Sequence, residues 1–340
     1  MNVTDKHAAL HDSTYVPSFY VLGRMTMDKI LTVIIPVFND EKNISRCIES
    51  LFNQTFEGID IIVVNDASTD NTLDVVYNLQ KKHHFQIITL KDNSGAGYCR
   101  NIGINTATTP FVTFIDSDDW IDMSTYEYCF KQISNNTDIV NFGLIYDYVD
   151  QDRQEIKYNY PNNYNITGEF ALSIYTHSIP NEIKITPIVN NKVYRRKFLI
   201  DNNLFFHEQL RYQEDDVFTF EVLARATRVS FIKNCYYHYC QREGSLVHTV
   251  SKTSIRSFIS AYLILKKDLE SANLFEKNKK AYYLKLKGSF LGVIKRIIDY
   301  EPNTDKRKEM LSLLLNLLIR NYNLPEFLDT FNFSAIRSIL

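Results

Sequence analysis

The sequence predicts an α/β fold: a mostly parallel sheet with helices on both faces, followed by a C-terminal helical region. Three observations carry this. Short continuous apolar runs rich in β-branched residues recur, the pattern of strands buried on both faces. They alternate with segments whose apolar residues return every three or four positions, the mark of amphipathic helices. From about Lys252 only the helical pattern continues.

The elements follow in order. Leu31–Val37 (LTVIIPV) reads as the first strand, closed by Pro36. Ile44, Cys47, Ile48 and Leu51 then space a helix over 40–52. Ile59–Val64 is a second buried strand, and Asp70 is placed to N-cap a helix reaching about Lys82. A strand around 85–90, a Gly-containing turn and a helix over 98–106 lead to a fourth strand, 110–115, which runs directly into Asp116. Residues 138–149 read as a strand, and 150–168, polar and without period, as a variable loop. Helices are expected at 169–177, 192–199 and 214–226, with short strands at 228–233 and 235–240. In 281–298, Tyr283, Leu286, Phe290, Val293, Ile294 and Ile297 fall on one helical face. The implied division is an N-terminal extension (1–29), a catalytic domain (30–250, split near 122) and the helical region 251–340.

Composition narrows the function. The chain has 340 residues, 45% of them hydrophobic and 23% charged, enough for a sizeable core and against wholesale disorder. Its five cysteines, Cys47, Cys99, Cys129, Cys235 and Cys240, show no metal-ligand spacing and read as reduced, buried thiols of a cytoplasmic protein. No run is long enough to span a bilayer, and the first residues lack a signal-peptide core. Residues 251–340 carry 16 Lys and Arg against 9 Asp and Glu, a net of +7, whereas residues 1–250 carry 22 against 31, a net of −9. A basic tail on an acidic body suits peripheral contact with an anionic membrane, a homo-oligomer interface, or simply a solvated helical face. A nucleic-acid partner is not expected, because the basic residues form no stripe interleaved with aromatics. A dinucleotide-binding dehydrogenase is not expected either, since no GxGxxG follows a strand.

Ligands of parallel α/β sheets bind beyond the carboxyl ends of the strands. The polar clusters PVFND, NDASTD and DSDD all lie at such ends. Asp116 and Asp118, two apart, are oxygen ligands of the kind a hard divalent cation takes when a diphosphate supplies the rest. Alone, the Asp116-Ser117-Asp118 tripeptide reads rather as an acidic turn before a helix capped by Asp122 or Ser124.

Four blocks in series decide between these readings: TVIIPVFNDEKNISRCIESLFNQT (32–55), IIVVNDASTDNT (61–72), NSGAGYCRNIGI (93–104) and FVTFIDSDDWID (111–122). In order and spacing they resemble glycosyltransferase family 2, enzymes of GT-A (Rossmann-like) fold that include bacterial surface-glycan glycosyltransferases. The resemblance implies a role for each matching position. Pro36, Phe38 and Asn39 would cradle the nucleotide base, and Asp66 would accept its N–H. Arg100 would lie near the nucleotide and Asp116. Asp116 would meet the ribose or a metal-bound water, and Asp118 would ligate Mn2+ or Mg2+ at the diphosphate. The usual Gly after Asp66 is Ala67, and the usual Ala before Arg100 is Cys99.

The second half, NKVYRRKFLIDNNLFF…YQEDDVFTFEVL, resembles the acceptor half of bacterial members, where the Asp of an ED pair is the catalytic base. That match implies Asp215 as base with Glu214 beside it, and leaves Asp216 without a family role. Read without the match, the three acids are good helix-capping residues. In YYHYCQREGSLVHT, Arg242 and Ser245 resemble the segment over the diphosphate, and His248 is a candidate third metal ligand. The expected activity is inverting transfer of a sugar from a nucleotide sugar, a UDP-sugar by resemblance, to a hydroxyl of a glycan or lipid-linked acceptor in cell-surface polysaccharide synthesis. A sugar-phosphate transferase and a non-catalytic nucleotide-binding subunit are the alternatives.

Overall fold

The computed structural model describes residues 29–179, 181, 183–241, 250–322 and 324–328. The N-terminal extension, apart from Lys29, and the candidate residues Arg242, Ser245 and His248 lie outside them.

The chain begins β1 (Leu31–Val37), α1 (Ile44–Phe52), β2 (Ile59–Asn65), α2 (Thr72–Gln80), β3 (Gln86–Thr89), α3 (Ala96–Thr106) and β4 (Phe111–Phe114). These strands pair in parallel, in the order β3-β2-β1-β4. Every residue of β1 is buried, and its side chains alternate between two cores. Ile34 joins the cluster under α3, whereas Val33 and Ile35 join the one under α1 and α2. Such a strand can only be apolar throughout, which is why LTVIIPV is legible as a central one. At Gly103 of α3, a Cβ would stand 2.3 Å from Ile34 Cγ2. Glycine there lets the helix sit directly on β1.

The second half adds β5 (Trp120–Ile121), α4 (Thr125–Gln132), β6 (Ile139–Tyr148), β7 (Arg153–Tyr158), β8 (Tyr164–Thr167), α5 (Gly168–Tyr175), β9 (Lys192–Arg195), α6 (Arg196–Asp201), α7 (Glu214–Arg225) and β10 (Arg228–Gln241). The sheet continues from β4 through β9, β6 and β10 to β5. β6 and β10 are parallel, while β9 runs antiparallel between β4 and β6. The fold class is therefore as expected.

Three local readings are corrected. Residues 150–168 are not a loop but contain β7 and β8, paired with β6 and β10. Both are short and half-exposed, so their polar composition hid them. The helix expected at 192–199 begins only at Arg196, because Lys192–Arg195 is drawn into the sheet centre with Val193 and Tyr194 buried. The two strands expected at 228–233 and 235–240 are one, whose register to β6 shifts between Phe231 and Tyr236. Asn234, at φ 57°, takes up the extra residues there.

The C-terminal region forms α8 (Lys252–Ser271), α9 (Phe275–Tyr300), α10 (Thr304–Asn321) and α11 (Leu324–Leu328). Ser251 and Ser254 cap α8 reciprocally. α8 packs on α7 and α9 on α5, so these helices share a core cluster with the sheet. Tyr283, Leu286, Phe290, Val293 and Ile297 point into that core, and Ile294 lies at its edge. Burial of each such side chain contributes about 2 kcal/mol. Among the described residues no helix is long and apolar enough to cross a membrane. All five cysteines are buried free thiols.

Candidate active site

The carboxyl ends of β1, β2 and β4 bring the first three polar clusters together. After β1, Pro36 is buried in the strand and Phe38 is 46% exposed. Asn39, at φ 50°, accepts the Thr69 N–H at 2.7 Å through Oδ1, and its own N–H donates to Ser68 Oγ. It thus staples the β1 end to the loop after β2. Asp70 helps in the same loop: its Oδ1 accepts the N–H of Thr72, the first residue of α2. Ala67 stands at φ 60°, a left-handed conformation in which the usual glycine would be unstrained.

Asp66 is 3% exposed, and its two oxygens accept the N–H groups of Ser94 (2.6 Å) and Gly95 (2.8 Å). It therefore holds the entry to α3. Each oxygen retains a further lone pair able to accept another N–H. Beside it, burial pushes the Cys99 thiol up to about 12, assisted by Asp66, so it stays neutral.

Arg100 is the centre of the site. It is 2% exposed on α3, 5.2 Å from the Phe206 ring. Its Nη2 donates to Asp116 Oδ1 at 2.8 Å, and its Nη1 donates to Asp215 Oδ1 at 2.8 Å. Glu214 Oε1 lies 3.8 Å from Nη1. Burial opposes the charge, but Asp215, Asp116 and Glu214 together raise the guanidinium's pKa, so it is permanently cationic. Asp215 itself is held in the first turn of α7, whose N-cap Gln213 stands at φ 67°. Burial pushes the Asp215 carboxyl up to about 7, with Arg100 opposing and Glu214 and Asp116 adding to the rise. Its side chain keeps 27% exposure, so the group remains reachable.

Asp116–Asp119 is a tight turn closed by an Asp119 N–H to Asp116 C=O bond of 3.0 Å. Asp116 and Asp118 are partly exposed, whereas Asp119 is fully buried. Asp119 accepts from the Tyr237 hydroxyl at 2.5 Å and from the Cys240 N–H at 2.8 Å. Tyr237 also accepts the Asp116 N–H and an Asn190 side-chain N–H. Arg46 holds the Asp118 carbonyl at 2.6 Å. The backbone of the turn is thus fixed from behind, with two carboxylates in front. Behind β5, His238 stacks on Trp120 at 3.4 Å, and both meet Asp147.

Asp216 faces away from the site. It accepts from the hydroxyls of Tyr175 and Tyr262 and pairs with Lys285 at 2.7 Å. Burial alone would raise its pKa, but Lys285 and the hydroxyls hold it below the ordinary value. The acid left without a role by resemblance is therefore the anchor of the C-terminal helices. Other residues escaped the sequence reading: Asp119, Tyr237, Asn190 and Lys192. The one signal available was Lys192, a lysine opening an apolar alternation in NKVY.

Among the described residues no three His, Cys, Asp or Glu side chains assemble as a metal cage. Asp116 and Asp118 instead fit a divalent cation that takes further oxygens from a bound diphosphate. The described chain therefore brings Pro36, Phe38, Asn39, Asp66, Arg100, Asp116, Asp118, Glu214 and Asp215 to one side of the sheet's carboxyl edge.

This arrangement has known counterparts. The model of the glycosyl transferase family 2 matches residues 32–201, half of the chain. EpsH of Bacillus subtilis (strain 168) is 30% identical over 269 residues, 77% of this chain and 74% of EpsH. The chain belongs to glycosyl transferase family 2. It is also 29% identical to the poly(ribitol-phosphate) beta-N-acetylglucosaminyltransferase TarS of Staphylococcus aureus, over 73% of this chain but 42% of TarS. The structure of TarS 1-349 in complex with UDP-GlcNAc superposes with TM-score 0.57 at 21% identity, covering 88% of this chain and 79% of that one. The mannosyltransferase PcManGT from Pyrobaculum calidifontis, in complex with GDP-Man and Mn2+, superposes with TM-score 0.52 at 14% identity, covering 87% and 88%. These two likenesses define the GT-A-like fold. The family match ends at Asp201, so Glu214 and Asp215 lie beyond it.

Proposed function

We propose that this chain is an inverting glycosyltransferase that moves a sugar from a nucleotide sugar, a UDP-sugar, to a hydroxyl of a glycan or lipid-linked acceptor of a bacterial surface polysaccharide. The observation that carries the reading is the double ion pair of Arg100. One guanidinium holds Asp116 on the leaving-group side and Asp215 on the acceptor side, each at 2.8 Å. UDP-GlcNAc in the TarS structure supports the donor class.

Asp215 Oδ1 is committed to Arg100, which leaves Oδ2 for the acceptor hydroxyl. As the acceptor oxygen bonds to the anomeric carbon, its proton passes to Asp215. The bond from that carbon to the diphosphate oxygen breaks, and the nucleoside diphosphate leaves with the electron pair. Attack opposite the leaving group inverts the anomeric centre. Pro36, Phe38, Asn39 and Asp66 line the base, and Arg100 keeps the two acidic groups apart. Asp118 and Asp116, with His248 and Arg242 from the segment after β10, would hold Mn2+ or Mg2+ and the diphosphate. The metal, when bound, offsets charge on the departing phosphate. Residues 30–250 carry the catalytic groups in this reading, braced by the helices after β10, at the cytoplasmic face of the membrane.

Thermal-shift titration with a panel of nucleotide sugars, with and without Mn2+, tests it. Stabilisation by one UDP-sugar that Asp118→Ala removes, followed by UDP release only when acceptor is present, is the expected result. No response to any nucleotide sugar would overturn the reading.

A further inference from the structure

Lys192 opens β9 as a buried residue, 1% exposed, and among the described residues no carboxylate bonds to its ammonium. A buried ammonium must be held by oxygen acceptors or it is expelled or neutralised. Here Nζ donates to the carbonyls of Thr186 (3.0 Å) and Ile188 and to Asn191 Oδ1 (2.9 Å). Three bonds from one side chain close residues 186–191 into a compact turn. Tyr194, also on β9, adds a bond to the Val189 carbonyl at 3.2 Å, and the Asn191 amide reaches Phe142 C=O at 2.7 Å.

That turn touches both halves of the site. On one side the Pro187 carbonyl accepts from Thr219 Oγ1 at 2.9 Å, on the same helix as Asp215 and one turn along. On the other, Asn190 donates to the Tyr237 hydroxyl at 3.0 Å, and that oxygen accepts the Asp116 N–H and donates to Asp119. We propose that Lys192 is a positioning residue: by tying residues 186–191 into a brace between α7 and the Asp116–Asp119 turn, it sets the separation of the proton acceptor from the leaving-group carboxylates. The proposal rests on the reading of Asp215 and Asp116 as the two ends of a glycosyl transfer.

The geometry favours this over a core-filling role. Any buried ammonium needs oxygen acceptors, but here all three come from one short turn, and that turn bonds to α7 and to Tyr237 together. Its charge also lies near enough to Asp215 to favour the ionised carboxylate. In turn, burial draws the ammonium's own pKa down to about 7, with Asp215 opposing.

The test compares Lys192→Met with the native chain in three measurements. Transfer kinetics is expected to show kcat lowered about 10- to 100-fold while the donor KM stays within about threefold, since reactants misplaced by an ångström lose rate without losing binding. Hydrogen exchange, which needs no turnover, is expected to quicken together at residues 186–191 and in the first turns of α7. UDP affinity is expected to hold. A folded Lys192→Met with native kcat, or with exchange changed at 186–191 only, overturns the brace. Should that variant fail to fold, Thr219→Val keeps the ammonium and cuts the link to α7: the same loss of kcat supports the proposal, and native kcat overturns it. If the native chain itself transfers no sugar, the functional reading fails, and the exchange comparison still decides whether Lys192 couples the two elements.

Discussion

Asp215 and Asp216, neighbours in the chain, face opposite ways and are held by different cations. Asp215 meets Arg100 in the site at 2.8 Å, and Asp216 meets Lys285 of the C-terminal helices at 2.7 Å. One helical turn therefore carries both the proposed base and a structural anchor, and the two are separable by substitution.

Asp215→Asn keeps the shape and the bond from Arg100 but cannot take a proton. Transfer is expected to fall about 100- to 10,000-fold in kcat with the donor KM nearly unchanged. Steady-state UDP release checks this, and native turnover in the variant would remove Asp215 from the base role.

Because burial raises Asp215 to about 7, the carboxylate form of the proposed base is the minor form in acid. Turnover per encounter, kcat/KM, should drop about tenfold per pH unit on the acid side of that value. Glu214 pushes the Asp215 pKa upward, so Glu214→Gln lowers it and moves the acid limb to lower pH. A pH series on both proteins reads the direction, and a limb displaced upward would contradict it.

Lys285→Met leaves Asp216 buried beside two hydroxyls with no cation. Removing one partner of a buried pair costs about 3 kcal/mol, expected as a lower urea midpoint. The sign with pH is fixed by the lowered pKa of Asp216. Its contribution is complete above the ordinary Asp value of about 4 and is lost as pH falls through the folded-state value. The stability gap between native and variant should therefore narrow in acid; equal midpoints at neutral pH would show the pair to be inert.

Much of this molecule was readable before its structure. β1 and β2 announce themselves because burial on both faces forces continuous apolar runs, and Asp116 sits where the fourth strand stops. The blocks around Asp66, Arg100 and Asp116 carried family membership. What stayed hidden was set by long-range pairing. Lys192–Arg195 has too few residues for a period to show, and only its place between β4 and β6 makes it a strand. β7 and β8 bury little, so polarity concealed them. Asp119 looks like one acid among four, and only its bonds to Tyr237 and Cys240, over a hundred residues on, reveal an inward side chain. Asp216 likewise needed Tyr262 and Lys285 in place before its purpose was visible.

The anchoring of Asp216 bears on how the chain can be divided. A chain cut at residue 250 would look like a minimal catalytic fragment. It would lack Tyr262, Lys285 and Ser289, leaving Asp216, one residue from Asp215, with only the Tyr175 hydroxyl among its present side-chain partners. The helices after β10 are thus not a detachable appendage but the support of α7 through Asp216, and trimming them is expected to disturb the helix that carries the proposed base.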